Sequence, residues 1–197
     1  MDSKDDVDVF RSTSVIGLPR SFFEKPTTLV ARELLGKHLA FWSPAGLIAG
    51  RIAETEAYHQ SEPASHSHRG PTPRNQVMFG QAGHVYVYFI YGMHYCLNIV
   101  TEKKGIGSAV LLRGIYPTTG EDLMQANRKG VSRGQWANGP AKLVAAFGLG
   151  AASNGVDLCQ PDAQLKIVDD GFLPPLIHSG PRIGISKAVD LPWRFWY

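Results

Sequence analysis

The sequence predicts an α+β domain built on a mainly antiparallel sheet, and three observations carry that prediction. The runs HVYVYFI (84–90) and YCLNIV (95–100) are rich in β-branched and aromatic residues, and they flank a four-residue connection, YGMH (91–94), that holds a glycine. That pattern is the signature of a β-hairpin. The stretches LIAGRIAETEAY (47–58), a strand or strand pair, and SAVLLRGIY (108–116) read as further strands. Helix start signals at Pro26, after Pro117 and at Asn138-Gly139-Pro140 accompany these strands, and the mixture is α+β. At 197 residues the chain has room for one domain.

The first element is a helix from about Pro26 to His38. Pro26, Thr27 and Thr28 are start signals, Val30, Ala31, Leu34 and Leu35 fall on one stripe, and Gly36 weakens the last turn. In the strand ending at Tyr58, alternation places Ile52, Glu54, Glu56 and Tyr58 on one face and Ala53, Thr55 and Ala57 on the other. Residues 59–83 form a loop rich in Ser, Pro, Gly, His and Asn, and a loop of that length is usually functional or disordered. After residue 116, Pro117 introduces a short helix with Thr118 or Thr119 as its cap and Glu121 and Asp122 in its first turn, near the positive end of the helix dipole. Asn138-Gly139-Pro140 starts another helix that runs to about Phe147, cap residue first and proline early. Residues 164–168 and 181–186 are weaker strand candidates. Residues 1–20 read as a flexible leader, and the domain proper spans 21–197.

Hydrophobic residues make up 44% of the chain, enough for a real core, and no apolar run approaches the roughly 20 residues of a membrane span. The acidic start MDSKDDVDVF is not a secretory signal. Cys96 and Cys159 cannot supply a disulfide framework, so an intracellular setting is expected, cytoplasm or nucleoid in a bacterium. The net charge of +3 conceals a distribution: Asp2, Asp5, Asp6 and Asp8 against Lys4 give the first ten residues −3, which leaves +6 on the rest. A basic body suits phosphate binding, although an ordinary solvated surface has the same balance.

Three polar residues interrupt apolar strands. Arg113 sits inside AVLLRGIY; it either finds a buried anion or ends the strand and reaches solvent. Asn98, inside YCLNIV, must be paired if buried, or it lines a polar pocket. Glu56 shares a strand face with Tyr58, which would stand a carboxylate beside an aromatic wall. Tyr86, Tyr88, Tyr91 and Tyr95 cluster within ten residues. Phe89 suits the sheet core, but so many tyrosine hydroxyls point to a wet or ligand-facing surface. Tyr91 lies at the hairpin tip, where a large aromatic can serve as a wedge in a base stack.

Five of the seven histidines fall between His59 and His94, so a metal site has to be weighed. His66-x-His68 comes without HExxH or CxxC, and His66 reads better as a hydrogen-bonding pocket residue than as a ligand. GxSxG and Walker A loops are absent. Lys142, near a helix start, could be a Schiff-base amine, though its setting favours a phosphate contact or a surface role.

With these residues in view, the chain resembles the alkyladenine (3-methyladenine, N-methylpurine) DNA glycosylases. The resemblance is carried by SFFEKPTTLVARELLGKHL, RIAETEAY, ASHSHRGPTPRNQVMFG, GHVYVYFIYGMHYCLNIV, AVLLRGIYP, NGPAKL and PRIGISKAVDLPWRFW, in family order over nearly the whole chain. It departs from the family pattern at Ala141, where Gly or Ser is common, and around His94; the segment before Arg20 matches nothing recognisable. The resemblance implies a single-domain, monomeric, monofunctional base-excision enzyme with no cofactor and no metal. Its fold would be a curved, mainly antiparallel sheet with surrounding helices and a protruding hairpin, like the C-terminal domain of formyltransferases. Its partner would be double-stranded DNA with damaged purines, with no membrane and no obligate protein partner.

By the same resemblance Glu56 is the carboxylate that activates a water for attack on C1′, and Arg113 positions that water and carboxylate. Tyr58, His66 and Tyr88 hold the flipped base, and Asn98 screens purines by crowding a guanine's exocyclic amine. Tyr91 intercalates in place of the extruded nucleotide, with Met93 in the same wedge loop. Arg69, Arg74 and Lys142 are phosphate-contact candidates, as are Lys103, Lys104, Arg128, Lys129 and Arg133. A positively charged alkylpurine leaves readily, so one base for water, an aromatic slot and a nearby cation suffice. Two other readings compete: a lesion sensor that does no chemistry, and a glycosylase/lyase that uses Lys142.

Overall fold

The sheet is organised around one long strand. In the computed structural model, which describes Phe10 and residues 16–197, the strands are β1 (His38–Ser43), β2 (Gly46–His59), β3 (Val85–Ile90), β4 (His94–Val100), β5 (Ser108–Thr119), β6 (Leu165–Val168), β7 (His178–Gly180) and β8 (Arg194–Trp196). The main path runs β3-β4-β5-β2-β1-β6, with all pairs antiparallel. β2 is paired with β5 along one edge; on the other it meets β1 at residues 46–51 and β8 at 54–56. Helices α1 (Arg20–Phe23), α2 (Thr27–Glu33), α3 (Glu121–Asn127) and α4 (Pro140–Ala146) complete the α+β fold, with α2 packed on β2 and β5 and α4 on β4 and β5. Their apolar residues, among them Val30, Leu34, Leu143 and Phe147, bury fully against Ile52, Leu97, Ile99, Val110 and Leu112 of the sheet. Each such side chain contributes roughly 1.5–3 kcal/mol. Among the described residues no helix is long and apolar enough to cross a membrane. Most of the leader lies outside the described residues; Phe10 stands edge-on to His38 and Trp42, and the Leu18 amide donates to Ile167.

Several elements differ from expectation. α2 ends at Glu33, not near His38, because Gly36 turns the chain through a left-handed conformation (φ 86°) and its amide bonds to Ile52, so His38 already opens β1. β5 continues through Pro117 to Thr119, absorbing the proline beside a register shift, so Thr118 and Thr119 are strand residues rather than caps. The cap of α3 is Gly120 (φ 71°), where any Cβ would strike the Leu47 carbonyl. Gly139, not Asn138, is the N-cap of α4, and the Asn138 side chain instead accepts a bond from Lys142 Nζ. Residues 181–186 form no strand; β7 and β8 lie on either side of them. The hairpin connection is three residues, because His94 is already in β4, and Phe89 is half exposed on Tyr95 rather than in the core.

The most consequential difference is a pair of β-bulges. Between Ile52/Ile115 and Glu54/Gly114 the register gains Ala53 on β2; between Glu54/Gly114 and Thr55/Leu112 it gains Arg113 on β5. Each extra residue flips the alternation of its own strand. Ile52 therefore shares the core face with Thr55 and Ala57, and not the face of Glu54, Glu56 and Tyr58. On β5 the core face passes from Val110 and Leu112 to Ile115, and Arg113 is left on the opposite face beside Glu54 and Glu56.

Candidate active site

Glu56 is fully buried on the face of β2 away from the helices. Its Oε1 accepts the Ile183 amide (2.7 Å), and its Oε2 accepts the Tyr58 hydroxyl (2.8 Å). Arg113 approaches both oxygens at 3.4 Å, so the guanidinium in the apolar strand has found its anion. Burial, and then the charge of Glu56, push the Tyr58 phenol well above its ordinary range, so it stays protonated and donates.

Above this cluster opens a cleft of about 700 Å³. Tyr58, His66, Arg74, Tyr88, Tyr91, Asn98 and Arg113 all line it, and Pro140 and Ala141 at the start of α4 close one side. His66 stands edge-on to Tyr88, centroids 4.6 Å apart, and its Nδ1 lies 3.1 Å from the Tyr86 hydroxyl. Burial, helped by Arg74, lowers the His66 pKa and keeps the ring neutral at pH 7. Asn98 is satisfied through Nδ2, which donates to the Tyr86 carbonyl (3.1 Å). The loop 59–83 that carries His66 is ordered by its own polar side chains: Asn75 Nδ2 donates to the carbonyls of His66 and Gly70, and Ser67 Oγ to that of Gly107.

The remaining candidates lie around the cleft. β4 pairs with β5 only at Asn98–Val100, so the outer part of the hairpin leaves the sheet and carries Tyr91 and Met93, which are 84% and 70% exposed. Tyr91 adopts φ 53° and Gly92 φ 70°, the left-handed turn that a tight tip requires. Arg69 lines an adjoining hollow of about 570 Å³ together with Arg74, His68 and Lys187. Lys142 does not line the cleft; Lys187 does. Arg133 is paired with Glu121. Among the described residues no cluster of three or more His, Cys, Asp or Glu could hold a metal ion, and both cysteines are free.

Sequence reasoning missed a second buried ion pair. Arg182 reaches Glu62 through both terminal nitrogens (2.7 and 2.9 Å) and Ala57 O at 2.9 Å, and its guanidinium lies 4.6 Å from the Tyr58 ring centroid. No spacing rule connects residues 120 apart; an arginine between a proline and an isoleucine was the faint signal. Also missed was Glu54, which holds Arg113 and Arg194.

Comparison with known proteins bears on this arrangement. The family model of methylpurine-DNA glycosylase matches residues 21–197. A putative 3-methyladenine DNA glycosylase of Burkholderia lata is 49% identical over 181 residues, covering 90% of this chain and 86% of that protein. Proteins of the same description from Methanocella arvoryzae (47% over 184 residues, 91% of each chain) and Carboxydothermus hydrogenoformans (42% over 179 residues, 91% of this chain and 94% of that protein) are similar along almost their full lengths. An aromatic cleft over a buried glutamate, beside a projecting hairpin, thus occurs in a chain that belongs to the methylpurine-DNA glycosylase family, DNA-binding hydrolases that initiate base excision repair.

Proposed function

We propose that this protein is a monofunctional alkylpurine DNA glycosylase that acts as a monomer on chromosomal DNA in the cytoplasm or nucleoid. The observation that carries the reading is a buried carboxylate, Glu56, held between a tyrosine and an arginine directly beneath an aromatic cleft. A target purine leaves the duplex at a cost of a few kcal/mol and enters between Tyr58, Tyr88 and His66. Tyr91 fills the gap, stacking in place of the lost base. Glu56 takes a proton from water, the water oxygen bonds to C1′, and the C1′–N bond breaks with its electron pair going to the base. A 3-methyladenine base is cationic while attached and neutral once released, so the leaving group needs no proton. Glu56 is fully covered, and its contacts to Arg113 are the two long ones, so a small displacement of that guanidinium admits the water.

The test is release of free base from methylated duplex DNA. Glu56→Gln, which keeps the shape and loses the base, is expected to slow release by at least about 10²-fold, the scale of lost general-base catalysis. Unchanged release refutes the assignment. Borohydride trapping of a protein–DNA adduct would favour a lyase reading instead, with Lys187 rather than Lys142 as the amine that lines the cleft.

A further inference from the structure

We infer that Glu54 is a positioning residue for base release: it holds the Arg113 guanidinium back from Glu56, so that the guanidinium can yield an edge of the covered carboxylate to water. This rests on the glycosylase reading above. Arg113 lies between two carboxylates and is closer to Glu54 than to Glu56. Its Nε donates to Glu54 Oε1 at 3.1 Å, whereas both of its approaches to Glu56 are 3.4 Å.

A guanidinium facing a single carboxylate normally closes to a bidentate pair at about 2.7–2.9 Å. Arg182 and Glu62 do so in this same protein, at 2.7 and 2.9 Å. Arg113 and Glu56 do not: Glu56 also accepts from Tyr58 and the Ile183 amide, and a second carboxylate, Glu54, competes for Arg113. Neither glutamate lines the cleft, and Arg113, which does, is the side chain that touches both, so Glu54 acts on Glu56 through Arg113.

The fold holds Glu54 in this role from three sides. Regular alternation from Glu54 to Glu56 puts both carboxylates on one face, the bulge at Ala53 turns Ile52 off that face, and the bulge at Arg113 brings the guanidinium opposite. Glu54 pairs with Gly114, where a Cβ would stand 3.3 Å from that of Glu54, so the glycine leaves room at the base of the Glu54 side chain. On the other edge Arg194 Nη1 donates to the same Glu54 Oε1 at 3.1 Å, and Arg194 stacks 4.1 Å over Trp196 of β8. Two arginines and two glutamates leave the group neutral. Without Glu54, the attraction of Arg113 for Glu56 is unopposed, and the pair closes over the oxygen that must take the proton.

A double-mutant cycle tests this, read as single-turnover release of base from methylated duplex. Glu54→Ala is expected to slow release about ten-fold or more while duplex affinity stays within about two-fold, because misplacement near the reacting centre costs rate rather than binding. Glu54→Gln, whose amide oxygen can still accept from Arg113 Nε, is expected to recover most of the loss. In an Arg113→Ala background Glu54→Ala should change the rate by less than about two-fold, since its partner is gone. An equal loss in both backgrounds, or no loss in the first, overturns the inference. Glu54→Ser carries the same cycle, so a folding failure of one variant does not end the test. A wild-type protein that releases no base refutes the glycosylase reading; wild-type release with an uncoupled cycle refutes only the role of Glu54.

Discussion

Arg182→Met is the substitution whose cost the structure defines best. The side chains of Arg182 and Glu62 are 0% and 5% exposed, and methionine keeps much of the stem while removing the charge. What remains is the Glu62 carboxylate, buried without its bidentate partner, and an Ala57 carbonyl without its donor. Breaking a buried ion pair from one side costs about 3–5 kcal/mol. In a chain of this size each kcal/mol lowers the melting midpoint by about 2–4 °C, so a fall of about 6–20 °C is expected by scanning calorimetry. The double variant Glu62→Leu/Arg182→Met removes both charges and should regain most of that loss, because an apolar replacement of a buried pair is commonly neutral or stabilising. A single variant that melts within about 3 °C of wild type would refute the view that this pair clamps loop 59–83 to residues 181–188.

Two further outcomes follow from exposure and charge. Tyr91→Ser should leave the melting midpoint within about 1 °C, since the side chain is 84% exposed, while weakening base flipping about ten-fold in a 2-aminopurine fluorescence titration, the scale of one lost base–aromatic stack. An unchanged flipping constant removes the wedge role. Asp170 concerns stability and pH: burial opposes its charge, but bonds from Arg51 and the Phe172 amide hold its carboxyl well below the ordinary range. A depressed carboxyl stabilises the fold above the unfolded pKa of about 3.9 and loses that contribution as pH falls further, so Asp170→Asn should cost melting temperature at pH 7 and progressively less below about pH 4. A gap that widens in acid contradicts the pairing.

How far the sequence could be read depends on whether the signal was local. The hairpin, β5 and the proline-started α4 carry their own punctuation, and each lies close to its expected place. Glu56, Tyr58, Asn98 and Arg113 stood out as polar or aromatic residues in strand contexts, and all four meet at the cleft or directly beneath it. The bulges were invisible, because strict alternation assumes that neither strand carries an extra residue; hence Ile52 was assigned to the wrong face. Arg182–Glu62 and Glu54–Arg194 were invisible for another reason. Partners 120 and 140 residues apart are joined only by the folded chain. Phe89 was misplaced because a hydrophobic strand residue reads as core, whereas at that point β3 pairs only with β4 and the hairpin projects past the end of the β4–β5 pairing.

The aromatic walls also bear on where discrimination between bases can arise. Bare tyrosine faces would attract a cationic alkylpurine. These faces are not bare: Arg182 stands 4.6 Å from the Tyr58 ring, and Arg74 stands 5.6 Å from that of Tyr88. Each guanidinium already draws on the ring it covers, and each repels a second cation, by about 2 kcal/mol at 8 Å and an effective dielectric of 20 for an unpaired charge. Glu62 offsets part of this behind Tyr58. Attraction of the walls for positive charge is therefore reduced at both tyrosines; under the proposed reaction the slot would offer charged and neutral purines alike mainly shape and stacking, and the advantage of a charged base would be left to the weakness of its own glycosidic bond. Under the proposed reaction, a site built this way would need a competent water more than a strong grip on the base, and Arg113 is the group whose displacement would admit that water to Glu56.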